Sequence, residues 1–324
     1  MSIFKWGIIG PGFIANKFAR AVCDLCDMEI DAVASNSLNR ACEFAKEYNI
    51  PKSYGNYEEM LQDAQIDGVY ISTVNSAHYD NIMLCLDHGI PVLCEKPMVM
   101  KLTEFDNIMK KALDKKVPLM EAMWTNLIPS MVEIKKIINN GEIGKVSLAF
   151  VDFCVKFDQN PNSRIYNKDL GGGLIFDIGV YNLHTVFNLF GEDYEDITIC
   201  GRMGETLVDA ASFISFSFSN GLIVNTTTSG ETKGPYGLRI YGDKGFISSE
   251  TYNDSKSFTI TFDDSTIKEF SCPYEVNGFE YEIKEFVHLV NSSKIESEII
   301  SLSRSRKVCE IMEMAYNKVV TMDK

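Results

Sequence analysis

Gly10-Pro-Gly12-Phe13-Ile14-Ala15 is the first stretch of the chain whose residue types could do chemistry. Gly10 permits a tight turn, Gly12 lets a backbone approach a pyrophosphate, and the small Ala15 lets a helix pack close to a sheet. The stretch joins an apolar run at residues 3–9 to a helical pattern through Phe18, Val22 and Leu25. That strand–loop–helix setting is what a dinucleotide site requires, with phosphates held by free peptide N–H groups at the helix start. The bland alternative is a glycine turn of no function.

The end of the second apolar run separates NAD from NADP. NAD sites usually place Asp or Glu there, on the ribose 2′-hydroxyl. Here the chain reads Ala34-Ser35-Asn36-Ser37-Leu38-Asn39-Arg40, without a carboxylate. Ser35 and Ser37, on either side of Asn36, can donate to a 2′-phosphate, and Arg40 supplies a positive charge. The reading favours NADP, with NAD as the alternative.

These residues need elements to hold them. Apolar runs at 3–9, 30–35, 68–72, 91–94 and 118–121 alternate with helical patterns at 38–48, 78–88 and 103–115. Such βαβ spacing predicts a doubly wound parallel sheet, a Rossmann domain over residues 1–122. Past residue 122 the pattern changes. A helix at 129–140, a long strand at 145–157 and a helix at 174–190 are followed by strand patterns with no helices between them. Residues 212–219 alternate Ile214, Phe216 and Phe218 with Ser215, Ser217 and Ser219, and Asn220-Gly221 signals a hairpin into 222–228. Further strands fit 237–250 and 257–270, and helices fit 279–293 and 302–321. Residues 123–324 therefore read as an α+β domain on a mostly antiparallel sheet, suited to substrate binding and oligomerisation. Its last helix is placed to pack back on the Rossmann domain.

Composition narrows the function. With 31 Lys+Arg against 45 Asp+Glu the net charge is −14, which argues against nucleic acid or an anionic membrane as partner. Nine scattered cysteines, no apolar leader and no membrane-length apolar run read as a reduced, cytoplasmic protein. Cys23-Asp-Leu-Cys26 falls in the first predicted helix, and no second pair follows at zinc spacing, so no metal site is expected.

Cys94-Glu95-Lys96-Pro97, at the end of a predicted parallel strand, brings these readings to a family. With the N-terminal loop it resembles the Gfo/Idh/MocA oxidoreductases. Further matches are Ala32-Val-Ala-Ser35, Val69-Tyr-Ile-Ser72, Glu121-Ala-Met-Trp124, Gly141-x-x-Gly144 and Gly171-Gly-Gly-x-x-x-Asp177-x-Gly179-x-Tyr181. Within the family the motifs look most like dimeric dihydrodiol dehydrogenases and NADP-dependent xylose dehydrogenases. The resemblance implies hydride transfer between a nicotinamide cofactor and a hydroxyl or carbonyl carbon of a sugar, polyol or cyclic diol. It makes Lys96, Asp177 and Tyr181 the catalytic residues, adds Glu95 and Lys96 to the cofactor site, and puts Trp124 in the substrate pocket. Such relatives carry Arg shortly after that tryptophan, where this chain has Asn126.

The chemistry accommodates those residue types. A carbinol carbon releases hydride only as its hydroxyl loses a proton, so a base must lie within hydrogen-bond reach. Tyrosine, with a pKa of ~10, needs a nearby cation to serve as that base, and Lys96 could supply it. Asp177 and Tyr181 are spaced i,i+4, sharing one helix face with His184, a candidate substrate contact or a structural histidine. A rival from another class is a non-catalytic dinucleotide-binding regulator on the same fold. The Ser/Thr-rich strand faces of 212–228 also suit a flat self-complementary interface, so a homodimer is expected.

Overall fold

The computed structural model describes residues 3–322. The chain divides into two compact units, one running through Trp124 and taking up Glu275–Arg306 again, the other comprising Thr125–Tyr274 and the chain from Lys307 onward.

The first unit alternates β1 (Phe4–Ile9), α1 (Phe13–Cys23), β2 (Met28–Ala34), α2 (Leu38–Tyr48), β3 (Lys52–Tyr54), α3 (Tyr57–Asp63), β4 (Gly68–Ile71), α4 (His78–Asp87), β5 (Val92–Glu95), α5 (Leu102–Lys115) and β6 (Leu119–Ala122). The six strands pair in parallel in the order β3-β2-β1-β4-β5-β6. Strand order reverses between β1 and β4, and in such sheets ligands bind beyond the carboxyl ends at that point. The Gly10–Ala15 loop leaves β1 there. Strands buried on both faces must be nearly continuous in apolar residues, and β4 and β5 are buried at every position. Three-residue β3 and the short α3 have no periodic apolar pattern, and the sequence reading passes over them.

The second unit contains α6 (Pro129–Asn139), β7 (Val146–Cys154), α7 (Val180–Phe190), β8 (Tyr194–Met203), β9 (Asp209–Phe218), β10 (Ile223–Ser229), β11 (Tyr236–Gly242), β12 (Gly245–Ser249), β13 (Ser257–Phe262) and β14 (Ile267–Ser271). Its eight strands run in the order β14-β13-β12-β11-β7-β10-β9-β8, antiparallel except for β7 and β10. Ile214, Phe216 and Phe218 point into the core, as their alternation predicts, and α7 packs on β7 and β10. Two stretches read as single long strands are hairpins. Residues 237–250 turn back at Asp243-Lys244, and 257–270 turn back through Ser265, whose φ is +68°. An apolar period of two continues across a tight turn, so it does not mark the break. β8 is a further strand that the reading leaves unassigned.

Two helices close the chain, α8 (Glu280–Asn291) and α9 (Leu302–Met322). The boundary expected at residue 122 leaves α8 with the second domain, whereas it belongs to the first unit. Its apolar face accounts for the return. Phe286 lies 5.1 Å from Trp6 of β1, which also touches Phe4 and Phe18, and Phe18 stacks on Tyr70 of β4 at 3.9 Å. An addition at Gly68 would come within 2.9 Å of Phe286. The buried carboxylate of Glu280 accepts the N–H groups of Val276, Asn277 and Gly278, fixing the entry to α8. Among the described residues no helix is long and apolar enough to cross a membrane.

Both tryptophans, Trp6 and Trp124, lie in the first unit, so indole fluorescence reports its unfolding. Phe286→Ala should lower its stability by about 3–5 kcal/mol, read from the urea midpoint, because a fully buried ring is deleted from an aromatic cluster.

Candidate active site

The phosphate loop is shaped by contacts that leave little choice of residue. Gly10 has φ +88°, and a Cβ there would sit 2.7 Å from Thr73 Cγ2 and 3.0 Å from Thr73 N. Ser72 Oγ donates to the Gly10 carbonyl at 2.9 Å, joining the loop to the end of β4. Gly12 is different: a Cβ there would find its nearest neighbour, the Ser72 carbonyl, only at 3.8 Å. Space is therefore kept above Gly12 that the fold itself does not fill, as close approach of a pyrophosphate demands. Gly12 also starts α1 without a side-chain cap, leaving first-turn N–H groups available to an anion. Ala15 is fully buried, Ile14 is partly buried and Phe13 is 83% exposed. The residues present thus fit a dinucleotide.

Beyond β2 the candidates diverge. Arg40 Nη2 donates to the Pro11 carbonyl at 3.3 Å, which brings its charge to the phosphate loop. Ser35 is buried, and its hydroxyl accepts the Ser37 N–H at 3.3 Å. It therefore shapes the turn, while exposed Asn36 and partly buried Ser37 face outward. Tyr57, which the sequence reading missed, presents its hydroxyl to the Asn36 backbone beside Arg40.

Lys96 follows β5 in a turn whose Lys96-Pro97 bond is cis. Buried groups hold this turn on both sides. Glu95 accepts the Tyr70 hydroxyl at 2.5 Å through one oxygen and the Lys96 N–H at 3.2 Å through the other. Glu121 accepts the Met98 N–H at 2.9 Å. His78 lies between the carbonyls of Pro97, at 2.8 Å, and Thr73, at 3.1 Å, and complete burial lowers its pKa. The carboxylate of Glu95 is thus turned into the interior. Across from it stands Glu282 of α8, fully buried, with the Trp124 N–H facing its carboxyl group. Burial first, then the charge of Glu95, pushes Glu282 well above the carboxylate range. Burial and the same two carboxyls push the Tyr70 phenol up as well.

Trp124 is buried and stacks on Phe279 at 5.2 Å, with Lys17 Nζ 5.8 Å from its ring. Phe279 has no counterpart in the sequence reading, since it lies 155 positions beyond Trp124 and no local signal joins them. Asn126 is buried, and neither atom of its side-chain amide has a hydrogen-bond partner among the described residues.

In the second unit Asp177, Tyr181 and His184 share one helix, but not with uniform spacing. Residues Ile175–Gly179 form a π-helical turn before α7, so the i,i+4 geometry assumed between Asp177 and Tyr181 does not apply there. Asp177 is 4% exposed and pairs with Arg164 at 2.5 Å, another residue missed because the preceding loop has no pattern. Tyr181 is partly buried, 5.9 Å from Phe153 and close to Tyr236, whose own pKa burial raises to about 12. His184 is fully buried.

Family comparisons cover most of the chain. A family model described as the Gfo/Idh/MocA oxidoreductase family with an NAD-binding Rossmann fold matches residues 4–123, and the corresponding C-terminal domain matches 131–248. Trans-1,2-dihydrobenzene-1,2-diol dehydrogenase of Mus musculus is 33% identical over 96% of this chain and 95% of its own. The NADP(+)-dependent scyllo-inositol 2-dehydrogenase IolU of Bacillus subtilis is 29% identical over 97% and 96%. The aldose-aldose oxidoreductase of Caulobacter crescentus superimposes with a TM-score of 0.89 at 19% identity, over 98% of each chain.

The two loop glycines should behave differently when replaced. Gly12→Val should leave the urea midpoint unchanged yet weaken dinucleotide binding on the order of a hundredfold in calorimetric titration. Gly10→Ala should instead lower stability by about 1–3 kcal/mol, through a strained backbone and a contact with Thr73.

Proposed function

The chain belongs to the Gfo/Idh/MocA oxidoreductase family, and from that premise we propose that it oxidises a ring CH–OH of a cyclic diol, polyol or sugar, or reduces the matching ketone, with NADP. The observation that carries this reading is the Lys96 turn, clamped by the buried Glu95, Glu121 and His78 at the carboxyl edge of the sheet whose switch point bears the phosphate loop. A pure dinucleotide-binding regulator has no use for a lysine held so closely. The two named relatives act on a cyclic diol and a cyclic polyol, which supports a ring bearing neighbouring hydroxyls. An uncharged Asn126 two residues past Trp124 supports a neutral substrate.

In this reading residues 1–122 bind the dinucleotide, and 123–324 supply substrate contacts and the oligomer interface. The nicotinamide, when bound, accepts or gives the hydride. Tyr181 takes the hydroxyl proton during oxidation and returns it during reduction. Lys96 offers a cation that stabilises the phenolate or the substrate oxygen. Asp177, fixed by Arg164, completes the catalytic set, and Trp124 with Phe279 offers an apolar wall to the ring. NADP is favoured over NAD because no carboxylate follows β2 and because Arg40 reaches the phosphate loop. The cytoplasm is the proposed compartment, supported by the exposed free thiols of Cys23, Cys26, Cys42 and Cys200.

A homodimer is proposed through the outer face of the eight-stranded sheet. One register row there aligns Ile223, Leu148, Tyr241 and Phe246, all exposed or partly buried, with Tyr241 and Phe246 rings 5.4 Å apart. A flat apolar row rimmed by Ser and Thr can meet its own copy across a twofold axis. Light scattering should give twice the chain mass, and Phe246→Asp should halve it; a monomeric wild type would refute the interface.

The enzymatic reading is tested with cyclic diols, inositols and aldoses, each with NADP and NAD, by following the reduced cofactor at its absorbance maximum. Tight dinucleotide binding with no turnover would favour the regulator. On an active substrate, Lys96→Met and Tyr181→Phe should each lower kcat by ~10²–10⁴ with dinucleotide affinity little changed. The double variant should be hardly slower than either single one, since groups acting on one proton are not additive. If His184→Asn is inactive while Tyr181→Phe keeps wild-type turnover, the proton-transfer role belongs to His184.

A further inference from the structure

Asp209 is the first residue of β9 and has no place in the chemistry above, yet its side chain is directed at the helix that carries it. It is fully buried, and one carboxyl oxygen accepts the Ile175 N–H at 2.7 Å. The N–H groups of Leu174 and of Asp209 itself also face the carboxyl group. Its other oxygen would lie 2.5 Å from any Cβ at Gly173, a residue at φ +131°. Only glycine therefore lets the chain pass this carboxyl and enter the helix two residues later. Orphan N–H groups at a helix start are satisfied best by an anion, through hydrogen bonds and the local dipole together. Asp177 follows Ile175 by two residues, inside the π-helical turn.

We propose that the Asp209 carboxylate is a positioning residue that locks the first turn of the Asp177–Tyr181 helix, and that protonating it loosens that turn and lowers activity. The inference rests on the reading of Asp177 and Tyr181 as catalytic. The titratable groups that face Asp209 are Asp177, itself paired with Arg164, and Tyr316 of α9. Burial, with a smaller contribution from the charge of Asp177, raises the Asp209 pKa from 3.8 to about 7. The anchor therefore changes charge near neutrality. A raised acid binds its proton more tightly folded than unfolded, so this group's contribution to stability falls as pH rises from about 4 to about 7. Above that range the anion is present in full, at some cost to stability but with its strongest hold on the N–H groups.

Amide exchange tests the anchor without any substrate. Protection of Leu174 and Ile175, corrected for intrinsic exchange, should rise about tenfold in the wild type between about pH 6 and about pH 8.5. In Asp209→Asn, which keeps one acceptor oxygen but cannot ionise, protection should stay at the low-pH level throughout. Turnover should follow the same course. Asp209→Asn should lose about tenfold in kcat at about pH 8.5, little at about pH 6, and nothing in dinucleotide affinity. Wild-type protection that does not change with pH would overturn the inference, as would a loss of kcat equal at both pH values, the mark of a merely structural change. A pH-dependent anchor in a protein that turns over no substrate would leave Asp209 as the lock of this turn and refute the enzymatic reading instead.

Discussion

A carboxylate removed from water must find donors inside the protein, and Glu95 finds them in the Tyr70 hydroxyl and the N–H of Lys96. This one buried group ties the lysine turn to β4. Tyr70 stacks on Phe18 of the helix that begins at the phosphate loop, and Phe18 meets Trp6 of the strand before that loop. The lysine turn and the dinucleotide loop are thereby referred to a common aromatic core. Glu282 opposite, brought in by α8, is pushed well above the carboxylate range by burial and then by the charge of Glu95. Two carboxyl groups facing each other away from water disfavour a second negative charge.

The first unit also takes back residues from late in the chain. Without α8 the face of Trp6 would lie open where Phe286 now covers it, and Trp124 would lose the Phe279 ring. The return is chiefly a consequence of apolar matching, joined by one hydrogen bond at the sheet edge, from the Leu119 N–H of β6 to the Ile295 carbonyl at 2.9 Å. The second unit uses a different device. Its central helix opens with a π-helical turn, a geometry rare in helices and frequent at functional sites, and buried Asp209 and the Arg164–Asp177 pair surround that turn.

Much of this was legible in the chain. The alternation of apolar runs and helical patterns through residue 122 specifies a parallel sheet, because strands buried on both faces and helices buried on one leave different periods. The glycine spacing at Gly10 and Gly12 specifies a loop that only a close-lying ligand uses fully. Motif resemblance proposes Lys96, Asp177, Tyr181 and Trp124 as site residues. The reading went astray where local pattern underdetermines structure. Hairpin turns at Asp243-Lys244 and Ser265 leave the period of two intact on either side, so two hairpins read as two long strands. α-Helical spacing does not hold through Ile175–Gly179, which adopt a π turn that no side-chain pattern announces.

Local sequence, then, determined the alternation of the main strands and helices of the first unit, the phosphate loop and the inward face of β9, because these follow from backbone sterics and the period of apolar residues. Tertiary structure alone decided what each polar side chain does. The Ser35 hydroxyl accepts the N–H of Ser37, and the Glu95 carboxyl accepts a buried phenol, contacts that the local sequence does not announce. Arg164, Phe279, Glu282 and Asp209 read as nothing in particular, yet each lies against a candidate site residue or the backbone that carries one. The reason is physical: the cost of burying a polar group depends on partners far away in sequence, and only the folded chain brings those partners within hydrogen-bond distance.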